Sequence, residues 1–507
     1  MSIPVKTRPT RRGKGDRAEA ECRGGRFAGR AENICSAVAE MRSAIRKNAF
    51  GCFMGSRISR LPFSIMGGMI MPTPLPLCGN LSVGENGHLF FAGQDTVDLS
   101  RQYGTPLYLM DEDRIRERCR TYRGAVKRAF GDRGHVLYAS KAASFRRMYE
   151  IMLEEGMEID VVSAGEIYTA AKAGFPMKRA WFHSNNKTDE DIAFAMEKGV
   201  GHFVVDNREE LLSVDRLAGE KGIRQRILLR LTPGIDPHTF EAVSTGKVDS
   251  KFGFGIQTGR AEAITAEALR CANVILDGFH CHVGSEVFDS DVFIRSAEIM
   301  LQFIAEMRDK HGYSAGHLDL GGGYGVRYTL DQPEIDIAAN IAQVGEYIHR
   351  RCGELGLSCP EIGLEPGRSI VADAGLTLYT VGMVRQIPDT VNYVSVDGGM
   401  TDNIRYALYR APYTVFPADR MREPRSMRCT LVGRCCESGD VIQPGIALPE
   451  TVGRGDLIAV CTTGAYNYSM ASNYNRIPRP PVVMLRGGES YVSVRRESLE
   501  DLIRLDN

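Results

Sequence analysis

The sequence predicts an α/β protein, a (β/α)8 TIM-type barrel followed by a β-rich C-terminal domain, and three observations point to it. Between residues 135 and 366 stand eight short apolar runs, each ending in polar residues or glycine. Helix-like amphipathic stretches such as GEIYTAAKAG (165–174) and REELLSVDRLAGEKG (208–222) separate them. After about residue 375 the chain turns to Val- and Thr-rich runs broken by Gly and Pro, with little helical period. Strand–helix units repeated eight times over roughly 250 residues are what a barrel requires, and the later texture is that of antiparallel sheet.

The runs are HVLYAS (135–140), MEIDVVS (157–163), AWFHS (180–184), HFVVD (202–206), RILLRL (226–231), LDGFHCHV (276–283), HLDLG (317–321) and IGLEP (362–366). The first five follow one another at about one strand–helix unit. The last three are further apart, with room for loop insertions. The segment 87–113 has the β-rich texture of the chain beyond 375 and is expected to join that second domain, leaving the barrel as an insertion. The expected division is an N-terminal extension (1–74), a first piece of the β domain (75–112), the barrel (113–373) and the C-terminal β domain (374–507).

Formal charge balances at 63 against 63, but unevenly. Residues 1–60 carry 14 Lys/Arg and 5 Asp/Glu, a surplus of +9, so residues 61–507 carry −9. A mildly acidic body argues against a nucleic-acid surface. No apolar run has the length of a membrane span; the best, LPFSIMGGMIMPTPLPL (61–77), is interrupted by Gly and Pro. Thirteen cysteines at irregular spacings do not form a disulfide framework and suit a reducing compartment, so the cytoplasm is expected. The Arg- and Gly-rich extension is expected to be disordered. Read instead as a transit peptide it would allow a plastid, but its five acidic residues count against that.

A barrel does its chemistry where strands end. The first run ends in Lys141, the third in His183, the sixth in His280-Cys-His282-Val-Gly-Ser285, the seventh in a triple glycine with Gly322 and Gly323, and the eighth in Glu365-Pro-Gly-Arg368. Consecutive glycine N–H groups can converge on an anion without Cβ interference, and Arg368 adds a bidentate donor. Loops after the seventh and eighth strands commonly bind phosphate in barrels. A phosphate site and a lysine at one mouth suggest pyridoxal phosphate held as a Schiff base, with Glu365 keeping the pyridine nitrogen protonated. His282 suits stacking on the cofactor ring, and His280 is expected to be packing. Two histidines on one strand face make a metal site conceivable, but without a third ligand nearby the case is weak, and none is expected.

Taken together, YASKA (138–142), DVVSAGE (160–166), FHSNNK (182–187), RLTPGIDPHT (230–239), STGKVDSKFG (244–253), HVGS (282–285), LDLGGGYG (318–325) and LEPGRS (364–369) resemble the fold-type III pyridoxal-phosphate decarboxylases. VDGGMTDNIRYALY (396–409), CCESGD (435–440), TTGAYNYSMASNYN (462–475) and RIPRP (476–480) narrow the resemblance to the diaminopimelate decarboxylases of that family, over about residues 75–490. The resemblance implies that Lys141 carries the cofactor, that His282 stacks on it and that Glu365 pairs with its ring nitrogen. It implies phosphate contacts from Ser285, Gly322, Gly323 and Tyr466. It implies substrate contacts from Arg368, Arg405, Tyr409, Glu437 and Tyr466. Cys436 matches the proton donor, which in the family reaches the site from the other subunit of a homodimer. Two departures stand out: Glu286 where the family usually has Gln, and Tyr406 where it often has Pro.

The implied reaction removes CO2 from meso-2,6-diaminopimelate to leave L-lysine, the last step of lysine biosynthesis. A thiol can supply the proton that replaces the carboxylate. Arg368 and Arg405 fit a second carboxylate by bidentate pairing, and Glu437 fits the far ammonium. Three rivals are a decarboxylase of another basic amino acid such as ornithine or arginine, a racemase on the same barrel, and a non-catalytic homologue that only binds the cofactor.

Overall fold

The computed structural model describes residues 65–66, 69–70, 73–235 and 251–507. The expectations for residues 1–64, and the stretch 236–250 of the RLTPGIDPHT and STGKVDSKFG motifs, lie outside the described residues. Of the two units into which the chain divides, Met1–Ile65 and Met66–Asn507, the second carries everything below.

All eight apolar runs become parallel strands: β1 Gly134–Ala139, β2 Glu158–Val161, β3 Ala180–Phe182, β4 His202–Val205, β5 Gln225–Thr232, β6 Val274–His280, β7 His317–Asp319 and β8 Glu361–Leu364. Each pairs with its successor, and β8 pairs back onto β1 with Gly363 opposite His135, so the barrel is closed. Alternation on β1 sends Leu137 inward, where it packs with Trp181, Val204 and Leu228 in a small cluster distinct from the main core. The outward-facing positions pack under the helices in that main core. Helix starts are set by side-chain caps: Ser163, Asn207, Asp289 and Asp336 each accept from a backbone N–H of the first turn, and Thr188 forms a capping box with Asp191.

The helix after β8 is only Arg368–Val371. Its place in the outer ring is taken by Glu112–Phe130, which precedes β1 and packs on both Arg368–Val371 and Ile337–Leu355. Gly345 permits the second approach: a Cβ there would stand 2.9 Å from the Ala129 methyl.

Beyond the barrel the chain forms an antiparallel-rich sheet around the twelve-residue strand Gly375–Gln386. Leu107–Asp111, from before the barrel, lies between two strands from after it, antiparallel to Gly375–Leu378 and parallel to Val482–Leu485. The 87–113 segment is not β throughout, however. It contains the helix Thr96–Tyr103, whose N-cap Asp95 accepts from the Val97 N–H. The Asp-Thr-Val cap was hidden by Val and Thr, whose strand preference is weak against a good cap. Among the described residues no helix is long and apolar enough to cross a membrane.

Candidate active site

Where β1, β6, β7 and β8 end, a cavity of about 390 Å³ opens. Its lining includes Lys141, His282, Ser285, Gly322, Gly323, Glu365, Arg368, Arg405, Tyr409 and Tyr466. All but two of the residues expected from sequence are therefore in one place. The exceptions are Cys436 and Glu437. Cys436 is exposed and its N–H donates to Asn475 Oδ1, while Glu437 accepts from the Ser438 hydroxyl and the Gly439 N–H.

Lys141 sits in the 3-10 turn Ser140–Ala142 that stops β1. Its side chain is 44% exposed, and Nζ donates to Asp160 Oδ2 at 3.2 Å. Burial favours the neutral amine, but the opposing charges of Asp160 and Glu365 win and raise Lys141 above its ordinary range. Asp160 opens the DVVSAGE stretch, though nothing in its spacing marks it as the lysine's partner.

Glu365 is buried between two histidines. His280 Nε2 donates to Oε2 at 3.3 Å, and His183 Nε2 lies 2.9 Å from Oε1 in an ionic contact that is not aligned as a hydrogen bond. Burial alone would raise the carboxyl, but the two imidazoles hold it well below the usual carboxylate range. Asp319 moves the other way: burial, and then the charge of Glu365, push its carboxyl up. His280 is thus more than packing, contrary to the sequence expectation: it orients the glutamate. Burial pushes it down to about 4, so it serves as a neutral donor. His282 is also held neutral by burial and by Lys141, and its Nδ1 accepts from the Gly322 N–H.

The glycine loop packs so closely on the neighbouring backbone that side chains would not fit. A Cβ at Gly322 would fall 2.0 Å from the Glu365 carbonyl oxygen, and one at Gly323 (φ 120°) 2.2 Å from that of Gly284. Opposite it, Arg368 donates to Ser285 Oγ at 3.0 Å and to Tyr328 Oη at 2.7 Å. Arg405 donates to Tyr328 Oη and Tyr413 Oη, and both guanidiniums face the Tyr466 ring. Tyr466 has φ 70°, held by its N–H bond to the Ala142 carbonyl. Tyr328 and Tyr413 were not legible as site residues.

These features fit pyridoxal phosphate. A lysine reaches the cavity, the buried Glu365 Oε1 has no aligned donor of its own, and Gly322, Gly323, Ser285 and Arg368 line the same cavity with groups suited to a phosphate.

Comparison with known proteins agrees. Residues 112–372 match the family model "Pyridoxal-dependent decarboxylase, pyridoxal binding domain". The diaminopimelate decarboxylase of Bacillus subtilis (strain 168) is 45% identical over 430 residues, 85% of this chain and 98% of that protein. The crystal structure of diaminopimelate decarboxylase from m. jannaschii in co-complex with L-lysine superposes with a TM-score of 0.79 at 32% identity, covering 84% of this chain and 98% of that one. The Helicobacter pylori enzyme complexed with L-lysine gives 0.74 at 31% identity, covering 81% and 99%. With its barrel, lysine, glutamate and glycine loop in that arrangement, the chain belongs to the pyridoxal-dependent decarboxylases, within the diaminopimelate decarboxylase family.

Proposed function

We propose that the protein removes CO2 from meso-2,6-diaminopimelate to form L-lysine, using pyridoxal 5'-phosphate. The observation that carries this reading is the pairing, in one cavity, of Lys141 and Glu365 with two arginines, the residue type suited to a carboxylate. When bound, the cofactor supplies an electron sink for the electron pair left behind as CO2 departs. Lys141 would hold its carbonyl end, and Gly322, Gly323, Ser285, Arg368 and Tyr466 its phosphate. Glu365, ionised and buried, keeps a proton on the ring nitrogen. His282, neutral, is suited to lie against the ring.

Arg405, Arg368, Tyr409 and Tyr466 hold the carboxylate that is kept. Cys436 gives a proton to the carbon that loses CO2, and Glu437 holds the far ammonium. Both serve the cavity of a second copy in a homodimer, which their exposure away from this chain's own cavity supports. We assign the first β-domain piece to 75–112, the barrel to 113–373 and the second β-domain piece to 374–507, on the support of the Leu107–Asp111 pairing. A cytoplasmic location is supported by the ten free thiols among the described residues.

The test is CO2 release from meso-diaminopimelate, ornithine, arginine and lysine by protein supplied with pyridoxal phosphate, with Lys141→Ala as the blank. Release from diaminopimelate alone, with lysine as product, is the expected result. Release from ornithine or arginine instead would overturn the role given to Arg405.

A further inference from the structure

Arg368 and Arg405 are not two open cations. Glu286 Oε1 lies 3.0 Å from Arg368 Nη1 and 3.7 Å from Arg405 Nη2, with its side chain only 8% exposed. Among the described residues it is the only carboxylate at ion-pair distance from either arginine; their other partners, Ser285, Tyr328 and Tyr413, are neutral hydroxyls. Glu286 also holds a left-handed backbone, φ 62°, which non-glycine residues adopt sparingly and which recurs where function over-determines the chain. It follows directly on Ser285, which lines the cavity.

We propose that Glu286 is a resident counter-anion: it occupies the guanidinium edges that the substrate's retained carboxylate must use, and so weakens and tunes the binding of anions there. The proposal rests on the function proposed above. Two guanidiniums and one carboxylate leave the pair with a single net positive charge. An incoming carboxylate must either displace Glu286 or share the arginines with it, and in both cases meets a like charge in a poorly hydrated site. Such a device discriminates by repulsion as well as attraction. It disfavours inorganic phosphate and other small dianions, which a bare arginine pair would hold tightly. It also keeps the substrate site from being clogged by them.

The experiment uses the cofactor-loaded protein and heptanedioate, a dicarboxylate of the substrate's chain length without its amines. Its dissociation constant is measured by calorimetry for wild type, Glu286→Gln, Glu286→Ala and Glu286→Asp. Removing the charge as Gln or Ala should tighten heptanedioate about tenfold and inorganic phosphate at least as much, whereas Asp should stay near wild type. For CO2 release from diaminopimelate, KM should fall more than kcat in the Gln variant. Unchanged or weaker heptanedioate binding in both neutral variants overturns the proposal. If wild type binds heptanedioate and the variants shift as stated while no CO2 is released from diaminopimelate, the counter-anion stands and the proposed function falls.

Discussion

The two ends of the barrel carry nearly the same triad and do different things with it. At the mouth, Glu365, the residue that follows β8, stands between His183 and His280; at the floor, Glu361, the first residue of β8, stands between His135 and His317, both Nε2 atoms 2.9 Å from its Oε2. The two glutamates stand four residues apart, one opening the strand and one just past its end. Their surroundings differ. The floor is laced with ion pairs: His135 Nδ1 also meets Glu158, whose other oxygen accepts from Trp181 Nε1, and Asp277 takes both Arg226 and His202. The mouth opens on a cavity with Lys141 and a glycine loop. A His–Glu–His arrangement is therefore not a site in itself. At the floor it closes a barrel, and at the mouth it poises a carboxylate for something that binds.

The largest expected break in that comparison is Glu365→Gln. It should cut kcat for CO2 release about 10³-fold, because a neutral amide no longer favours a protonated ring nitrogen. Arg405→Lys should cost about 10- to 100-fold in kcat/KM, mostly in KM, since a point charge cannot reproduce the guanidinium's contacts with Tyr328 and Tyr413 while holding a carboxylate. Glu361→Gln should leave kcat within about threefold and lower thermal stability by about 1 kcal/mol, read by denaturant unfolding, because it touches only the floor network. A loss of activity comparable with that of Glu365→Gln would erase the distinction between the two ends.

The smallest effect sharpens it. At the floor, Glu158 and Glu361 raise His135 above its ordinary value, while at the mouth burial lowers His280 to about 4. His135 therefore contributes stability that is complete below the unfolded value near 6.5 and is lost as pH rises through its higher folded value. His280 contributes stability present above about 6.5 and lost as pH falls toward 4. Imidazole resonances followed by NMR should show His135 titrating above 6.5 and His280 still neutral at pH 5; the reverse order would contradict both environments.

Much of this was legible in the sequence. Each of the eight strands was visible as a short apolar run, and Lys141, Glu365, Arg368 and the glycine loop were visible as the polar residues that stop those runs. What stayed hidden were the partners. Asp160 beside Lys141, His183 and His280 around Glu365, and Tyr328 and Tyr413 under Arg405 lie 8 to 182 positions from the groups they serve. No local period encodes such a pairing. His280 read as packing for that reason, and the helix Thr96–Tyr103 was missed because a single cap residue overrode a β-rich composition.

By itself, then, the sequence determined the order and approximate places of the strands, and with that which side chains stand at a barrel mouth. Strand alternation and the closure rules of a parallel barrel leave few other arrangements. Only the tertiary structure decided which charges meet: that Glu365 is ionised between two imidazoles, that its twin on the floor is spent on closure, and that Glu286 already sits on the two arginines. The physical reason is that a carboxylate's behaviour is set by neighbours and burial within a few ångströms, and closing the barrel is what brings residues from distant strands that close.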